Sequence, residues 1–293
     1  MGSIVAVDQK TERKCFIDEP DDLNAKEQVV FILNLHGGGS HGTWQHLYFP
    51  AHDYANKYRL VVATPSAATN EPMRRWVPEA DDEHLQNIVE LVCDRYGKNR
   101  IKSFWLAGHS QGGMTSNRLL RTDFYANRVD GWLSLSGGRI GPAERSPAAF
   151  ELRRSRSTQM PAPAPDLGEL HDCDFSFIYA IGELEIAKLP ESSPWAEKYG
   201  AGPRVRMPDI VDTEKGQVWD PRADRGPSWG REPRPGTAEI YVFPNASDDR
   251  LIADVVRLDK GHTEGLEPKI MEELIKMMVA APGGKIMALG KDK

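Results

Sequence analysis

Near-continuous apolar runs, separated by stretches of helical periodicity, dominate the first half of the chain. Val29-Val30-Phe31-Ile32-Leu33-Asn34-Leu35 is the first, and a run with so little polar alternation suits a strand buried on both faces. Leu60-Val61-Val62-Ala63, Phe104-Trp105-Leu106 and Trp132-Leu133-Ser134-Leu135-Ser136 repeat the pattern. Between them, residues 44–58 read as a helix that turns Tyr54 and Tyr58 inward. From Glu79 to Tyr96 the apolar positions Leu85, Ile88, Val89, Val92 and Tyr96 recur at helical spacing, with acidic residues at the start and Gly97 as a C-cap. A further helix-compatible stretch follows Gly112. Residues 1–28 are polar and weakly patterned, and only Lys14-Cys15-Phe16-Ile17 there reads as an outer strand.

After residue 140 the pattern is interrupted twice. Residues 141–172 are rich in Pro, Ala, Arg and Ser and cannot continue a regular core. Phe175 to Ala180 resumes the strand pattern and ends at Gly182-Glu183-Leu184-Glu185. A second irregular region, 190–237, holds eight prolines with Trp195, Trp219 and Trp229; its length suits a lid or binding loop. Ile240 to Phe243 and Leu251 to Leu258 are the last strands, and Glu267 to Ala280 is an amphipathic helix followed by a frayed tail beyond Pro282. Strand and helix in alternation predict an α/β architecture, a mostly parallel sheet of about eight strands with helices on both faces. The expected organisation is a single domain over 1–293 with lid insertions at 139–173 and 187–237.

Composition narrows the partners. A formal charge of −6 over 293 residues, with no long basic block, argues against nucleic acid. No apolar run reaches the roughly 18 residues of a membrane span, and no basic-then-apolar leader opens the chain. The three cysteines, Cys15, Cys93 and Cys173, are widely spaced and odd in number, which suits a reducing compartment. A cytoplasmic protein without nucleic-acid or membrane partners is expected, and the composition is compatible with a homo-oligomer.

The chemistry centres on Gly108-His109-Ser110-Gln111-Gly112-Gly113, a G-x-S-x-G pattern with one more glycine, between an apolar strand and a helix. Such a junction forces a sharp turn that presents the serine hydroxyl at the carboxyl edge of a sheet and the amino end of a helix. Ser110 is the candidate nucleophile. It needs a base, itself oriented by an acid. His262, after the last strand and preceded by Gly261, is the base the order of elements favours. Glu185, at the end of the strand before the second irregular region, is the first choice of acid; Glu183 and Asp212 are the alternatives. His36-Gly37-Gly38-Gly39 after the first buried strand can turn backbone N–H groups toward an oxyanion. His36 and His109 belong to the glycine motifs and shape their loops. His41, His46 and His52 follow at spacings of roughly five residues, which is not a helical ligand geometry, so neither a metal site nor a cofactor is expected.

Taken together, His36-Gly37-Gly38-Gly39, Gly108 to Gly113 and Gly261-His262-Thr263 resemble the α/β-hydrolase superfamily. More narrowly they resemble the esterase group of polyhydroxybutyrate depolymerase-like and feruloyl or acetylxylan esterase-like proteins. The resemblance covers about 29–136, 175–186 and 250–280. It implies Ser110 as nucleophile, His262 as base, Glu185 as acid, and an oxyanion hole from the backbone N–H groups of Gln111 and Gly38, with Gly39 as a substitute. The implied activity is hydrolysis of a small-molecule carboxylic ester. Trp195, Trp219, Trp229 and Trp76, with His109 beside the serine, are the expected substrate-binding set. Arg74 and Arg75 next to Trp76 add a preference for a substrate carboxylate. The same triad would serve a peptidase, amidase or lactone hydrolase, and a non-catalytic relative would bind a small molecule or partner through the lid.

Overall fold

Alternate residues of the buried runs point into two separate hydrophobic layers. Phe31, Leu33 and Leu35 join Phe104, Leu106 and Trp132 on one side, whereas Val30 and Ile32 join Trp105, Ala107 and Leu133 on the other. This is the pleat of a strand read at period two, and it requires helices on both faces. The computed structural model describes residues 2–141, 144–145, 172–222 and 225–290. Among them, eleven strands form one sheet: β1 (Gly2–Asp8), β2 (Arg13–Glu19), β3 (Val29–Leu35), β4 (Leu60–Pro65), β5 (Ile101–His109), β6 (Gly131–Leu135), β7 (Ser176–Gly182), β8 (Val205–Arg206), β9 (Ile210–Asp212), β10 (Gly236–Val242) and β11 (Ile252–Arg257). Their order is β1-β2-β4-β3-β5-β6-β7-β11-β10-β8, with β9 also paired to β10.

The six strands from β4 to β11 in that order are parallel neighbours. Every pairing outside them is antiparallel. The sheet is therefore wider than the apolar runs foretell. The additions are strands such as β1 and β8 at the sheet's edges: β8 is only two residues long, and β1, although it carries the apolar run Ile4-Val5-Ala6-Val7, alternates half-buried and exposed residues along most of its length.

Helices α1 (Gly42–Tyr48), α2 (Pro78–Tyr96), α3 (Gln111–Leu119), α4 (Pro268–Ala280) and α5 (Lys285–Leu289) cover the sheet. α2, α3 and α5 pack on one hydrophobic layer, α1 and α4 on the other. The single helix expected over 44–58 is instead α1, a 3-10 turn at Ala51–Tyr54 and a one-turn helix at Ala55–Tyr58. Pro50 supplies the break, because it has no N–H to continue the ladder. The tail beyond Pro282 is likewise ordered: Ile286 of α5 is buried, and the Asp130 carboxylate accepts from the Lys285 N–H at 3.1 Å and the Phe104 N–H at 2.9 Å.

Most of the first expected insertion, 139–173, lies outside the described residues. The three cysteines are free and buried, and no helix among the described residues is long and apolar enough to cross a membrane.

Candidate active site

The turn after β5 is as tight as the sequence demands. Ser110 sits at φ 52°, ψ −115°, a strained conformation for a residue with a side chain. Its N–H donates to the Leu135 carbonyl at 2.9 Å, and α3 starts at the next residue. The glycines are there for close approach. A Cβ on Gly108 would lie 2.4 Å from the Gly112 backbone, and one on Gly112 would lie 2.3 Å from the Leu35 carbonyl oxygen. Three segments can thus touch only because no side chain separates them.

Ser110, His262 and Glu185 meet at the carboxyl edge of the sheet. Ser110 Oγ is 2.8 Å from His262 Nε2, and His262 Nδ1 is 2.6 Å from Glu185 Oε2. The other Glu185 oxygen accepts from Ser136 Oγ at 2.7 Å and from the Gly182 N–H at 3.1 Å. Glu183 points elsewhere, its Oε2 accepting from the Asp259 N–H at 2.8 Å. Asp212 is also elsewhere, with Oδ2 taking the Lys269 N–H at 2.5 Å near the start of α4. Of the three acids, only Glu185 reaches the imidazole.

No family model and no curated protein sequence matches the chain. Among solved structures, an acetyl xylan esterase from Aspergillus awamori superposes with a TM-score of 0.54 at 13% identity, covering 94% of this chain and 100% of that one. The fold is that of the α/β-hydrolases. The fluorophosphonate-binding serine hydrolase F of Staphylococcus aureus aligns with a TM-score of 0.39 at 17% identity, over 62% of this chain and 78% of that one.

The loop after β3 borders the pocket that holds the serine. His36 anchors the loop: its Nδ1 lies 2.7 Å from the Gly37 carbonyl, its Nε2 accepts from the Ala67 N–H at 3.0 Å, and its own carbonyl accepts from Trp76 Nε1 at 2.8 Å. Burial pushes the His36 pKa down to about 4. Gly37 must be glycine, since a Cβ there would come 2.8 Å from His109 Nδ1. The N–H groups of Gly38 and Gln111 carry no hydrogen bond among the described residues, but the Gly39 N–H donates to the Arg74 carbonyl at 2.7 Å. Gly39 is thereby occupied and does not substitute for Gly38.

A pocket of about 340 Å³ opens over Ser110 and is lined by Trp44, Trp219 and Trp229 together with the glycine loop, His109 and His262. Two of the predicted tryptophans, Trp219 and Trp229, reach it; the other two do not. Trp195 is fully buried in the core, stacked on Phe175 at 4.3 Å with its N–H on the Phe175 carbonyl. Trp76 is buried behind the glycine loop, with its ring 4.6 Å from that of His36. Arg74 and Arg75 are not in the pocket wall either; Arg74 donates to the Ala67 carbonyl at 2.6 Å. The guanidinium at the pocket is Arg222, with Nε 2.7 Å from Asp220 Oδ2.

His109 is a wall and a prop. Its Nε2 is 2.8 Å from the His262 carbonyl, its ring lies 4.1 Å from that of Tyr48, and burial, reinforced by repulsion from His262, holds it well below the ordinary histidine range.

The His262 loop is clamped to the second irregular region by groups with no sequence signature. The His262 N–H donates to Ser228 O at 2.9 Å and the Thr263 N–H to Trp229 O at 2.7 Å. Buried Glu264 accepts the Gly261 N–H at 2.9 Å and the Arg231 N–H at 3.2 Å, while its other oxygen meets Arg234 at 2.8 Å. Ser136 and Glu264, and Trp44 and Arg222 of the pocket wall, are residues of the site that reading the chain misses. Ser136, at φ 52° just past β6, had a positional clue in lying at a strand's carboxyl end.

Proposed function

We propose that the protein is a serine hydrolase of carboxylic esters that works through an acyl-enzyme. The observation that carries this is the unbroken chain from Ser110 Oγ through His262 to Glu185 beneath a pocket lined by Gly38, and it is supported by the Gly38 and Gln111 N–H groups, which carry no hydrogen bond among the described residues. His262 Nε2 takes the Ser110 proton as Oγ attacks the carbonyl, and Glu185 holds the Nδ1 proton and stabilises the imidazolium. The N–H groups of Gly38 and Gln111 receive the oxyanion, a donor of this kind lowering the barrier by about 3 kcal/mol. His262 then protonates the leaving alcohol, and water repeats the sequence to release the acid. No cofactor enters this scheme.

Within 187–237, the stretch that carries Trp219 and Trp229 serves as a cap on a single catalytic domain, since both form pocket wall, while β8 and β9 of the same region extend the sheet. Together with Trp44 they favour an apolar or aromatic small-molecule ester. Arg74 and Arg75 do not line this pocket, so a substrate carboxylate does not meet them there.

The test is intact mass after fluorophosphonate treatment, with p-nitrophenyl ester turnover, for wild type and Ser110→Ala. One adduct and turnover, both lost in the variant, are expected. A folded wild type with neither would overturn the reading and leave a non-catalytic binding protein. Matched ester, amide and lactone substrates separate an esterase from a peptidase, amidase or lactonase using the same triad.

A further inference from the structure

Away from the Ser110 pocket, we propose that Asp18, His46 and His52 form a binding site for one divalent transition-metal ion of the zinc type. Sequence spacing argues against a metal because His41, His46 and His52 do not share a helix face. The break at Pro50 changes that geometry. His46 lies on α1 and His52 on the 3-10 turn beyond it, so their rings stack with centroids 3.5 Å apart and planes within 3°. The third member, Asp18, comes from β2, where it pairs with Val62 of β4. One donor atom from each of Asp18, His46 and His52 lies within 4.8 Å of the other two. His41 takes no part; it is the N-cap of α1.

The local chemistry asks for a cation. Asp18 is 0% exposed, and its ion-pair partner among the described residues is His46, with Oδ2 2.7 Å from Nε2; no lysine or arginine there pairs with it. A carboxylate so deeply buried needs compensating charge. His52 is buried too, and its Nδ1 makes no hydrogen bond among the described residues, while its Nε2 lies 3.4 Å from Asp53 Oδ1. A carboxylate at one ring nitrogen orients a histidine whose other nitrogen holds a metal. One carboxylate oxygen and two imidazole nitrogens match the donors zinc takes at about 2.0–2.2 Å, with a fourth position for water. The rings are parallel, so one must rotate for both lone pairs to converge. The His46 side chain, 20% exposed, has room to do so.

An ion held here would tie β2, α1 and the 3-10 turn together. α1 also carries Trp44 of the pocket wall and Tyr48, which packs on His109. The proposal does not depend on the esterase reading.

The test uses the full chain, stripped with EDTA, dialysed and titrated calorimetrically with zinc chloride, with Tm recorded in parallel. One zinc per chain is expected, with an upward Tm shift of several degrees at saturation. Asp18→Asn and His46→Gln should each weaken binding tenfold or more, and His262→Ala should leave it unchanged. His46→Gln alters a partly exposed position, so it supplies a folded variant if asparagine at 18 unfolds the chain. Absence of zinc binding would overturn the proposal and leave a hydrogen-bonded aspartate–histidine pair only. Undiminished binding in His46→Gln, or its loss in His262→Ala, would overturn it by placing the ion elsewhere.

Discussion

Glu185→Gln isolates the orientation of His262, because the neighbours of Glu185 dictate how the new amide must sit. Glu185 Oε1 accepts from Ser136 Oγ and from the Gly182 N–H, whereas Oε2 faces His262 Nδ1 at 2.6 Å. The Ser136 hydroxyl can reverse, but the Gly182 N–H cannot. Turning the amide NH2 toward it would leave a buried donor unsatisfied, at a cost of about 1–3 kcal/mol. The amide oxygen therefore takes the Oε1 position, and the NH2 faces Nδ1.

Nδ1 must then accept, the ring proton sits on Nε2, and Ser110 Oγ meets an N–H in place of a lone pair. Shape and packing survive while the proposed general base is lost. The corresponding acid-to-amide change in a serine–histidine–acid triad costs about 10⁴ in kcat. A loss of about 10³–10⁴ is expected here, or about 4–5.5 kcal/mol of barrier. Initial rates on p-nitrophenyl acetate read the loss, and Tm should move by no more than a few degrees, about what 1 kcal/mol produces in a chain of this size. A fall in kcat of less than tenfold at unchanged Tm would refute the assignment of the tautomer to Glu185.

Gly112→Ala should cost about 3 kcal/mol in urea unfolding, since its Cβ would meet the Leu35 and His36 carbonyl oxygens at 2.3 and 2.8 Å. Gly202→Ala, whose nearest contact is 3.5 Å, should cost under about 0.5 kcal/mol, and equal losses would remove the packing argument. Trp195→Ala should lower stability by about 3–5 kcal/mol and leave substrate preference alone. Trp229→Ala should instead raise KM for aromatic esters severalfold with little change in Tm, and an exchange of these two phenotypes would invert the placement of the rings.

His36 makes a pH prediction. Its folded pKa is pushed by burial to about 4, below the ordinary 6.5. The unfolded chain takes up a proton that the folded chain refuses in that window. Its contribution is whole above pH 6.5 and is lost as pH falls toward 4, by up to about 3 kcal/mol. His36→Gln should flatten the stability slope between pH 4.5 and 7 without abolishing it, because His109 is held low with the same sign. Unfolding curves with identical slopes for the two proteins would contradict this.

The chain by itself determined what local backbone chemistry can encode. Buried runs such as Val29–Leu35 specify parallel strands, and a serine ringed by glycines at a strand end specifies a tight turn. The order serine, acid, histidine follows the order of the strands that carry them. Tertiary structure decided every choice between near-equivalent neighbours. Glu185 reaches His262 and Glu183 does not because the short turn after β7 sends adjacent carboxylates in different directions. The Gly39 N–H is taken and the Gly38 N–H, among the described residues, is not, because the Arg74 carbonyl, far along the chain, comes to rest on the former. Trp195 and Trp229 each follow a serine and a proline in the same irregular region, yet one fills the core and the other faces the histidine at 5.0 Å. Asp18, His46 and His52 share no spacing pattern because their proximity is made by the pairing of β2 with β4 and by the break at Pro50. Periodicity reports which face of an element is buried, whereas a hydrogen bond between two particular atoms depends on the register of elements that the chain brings together only when it folds.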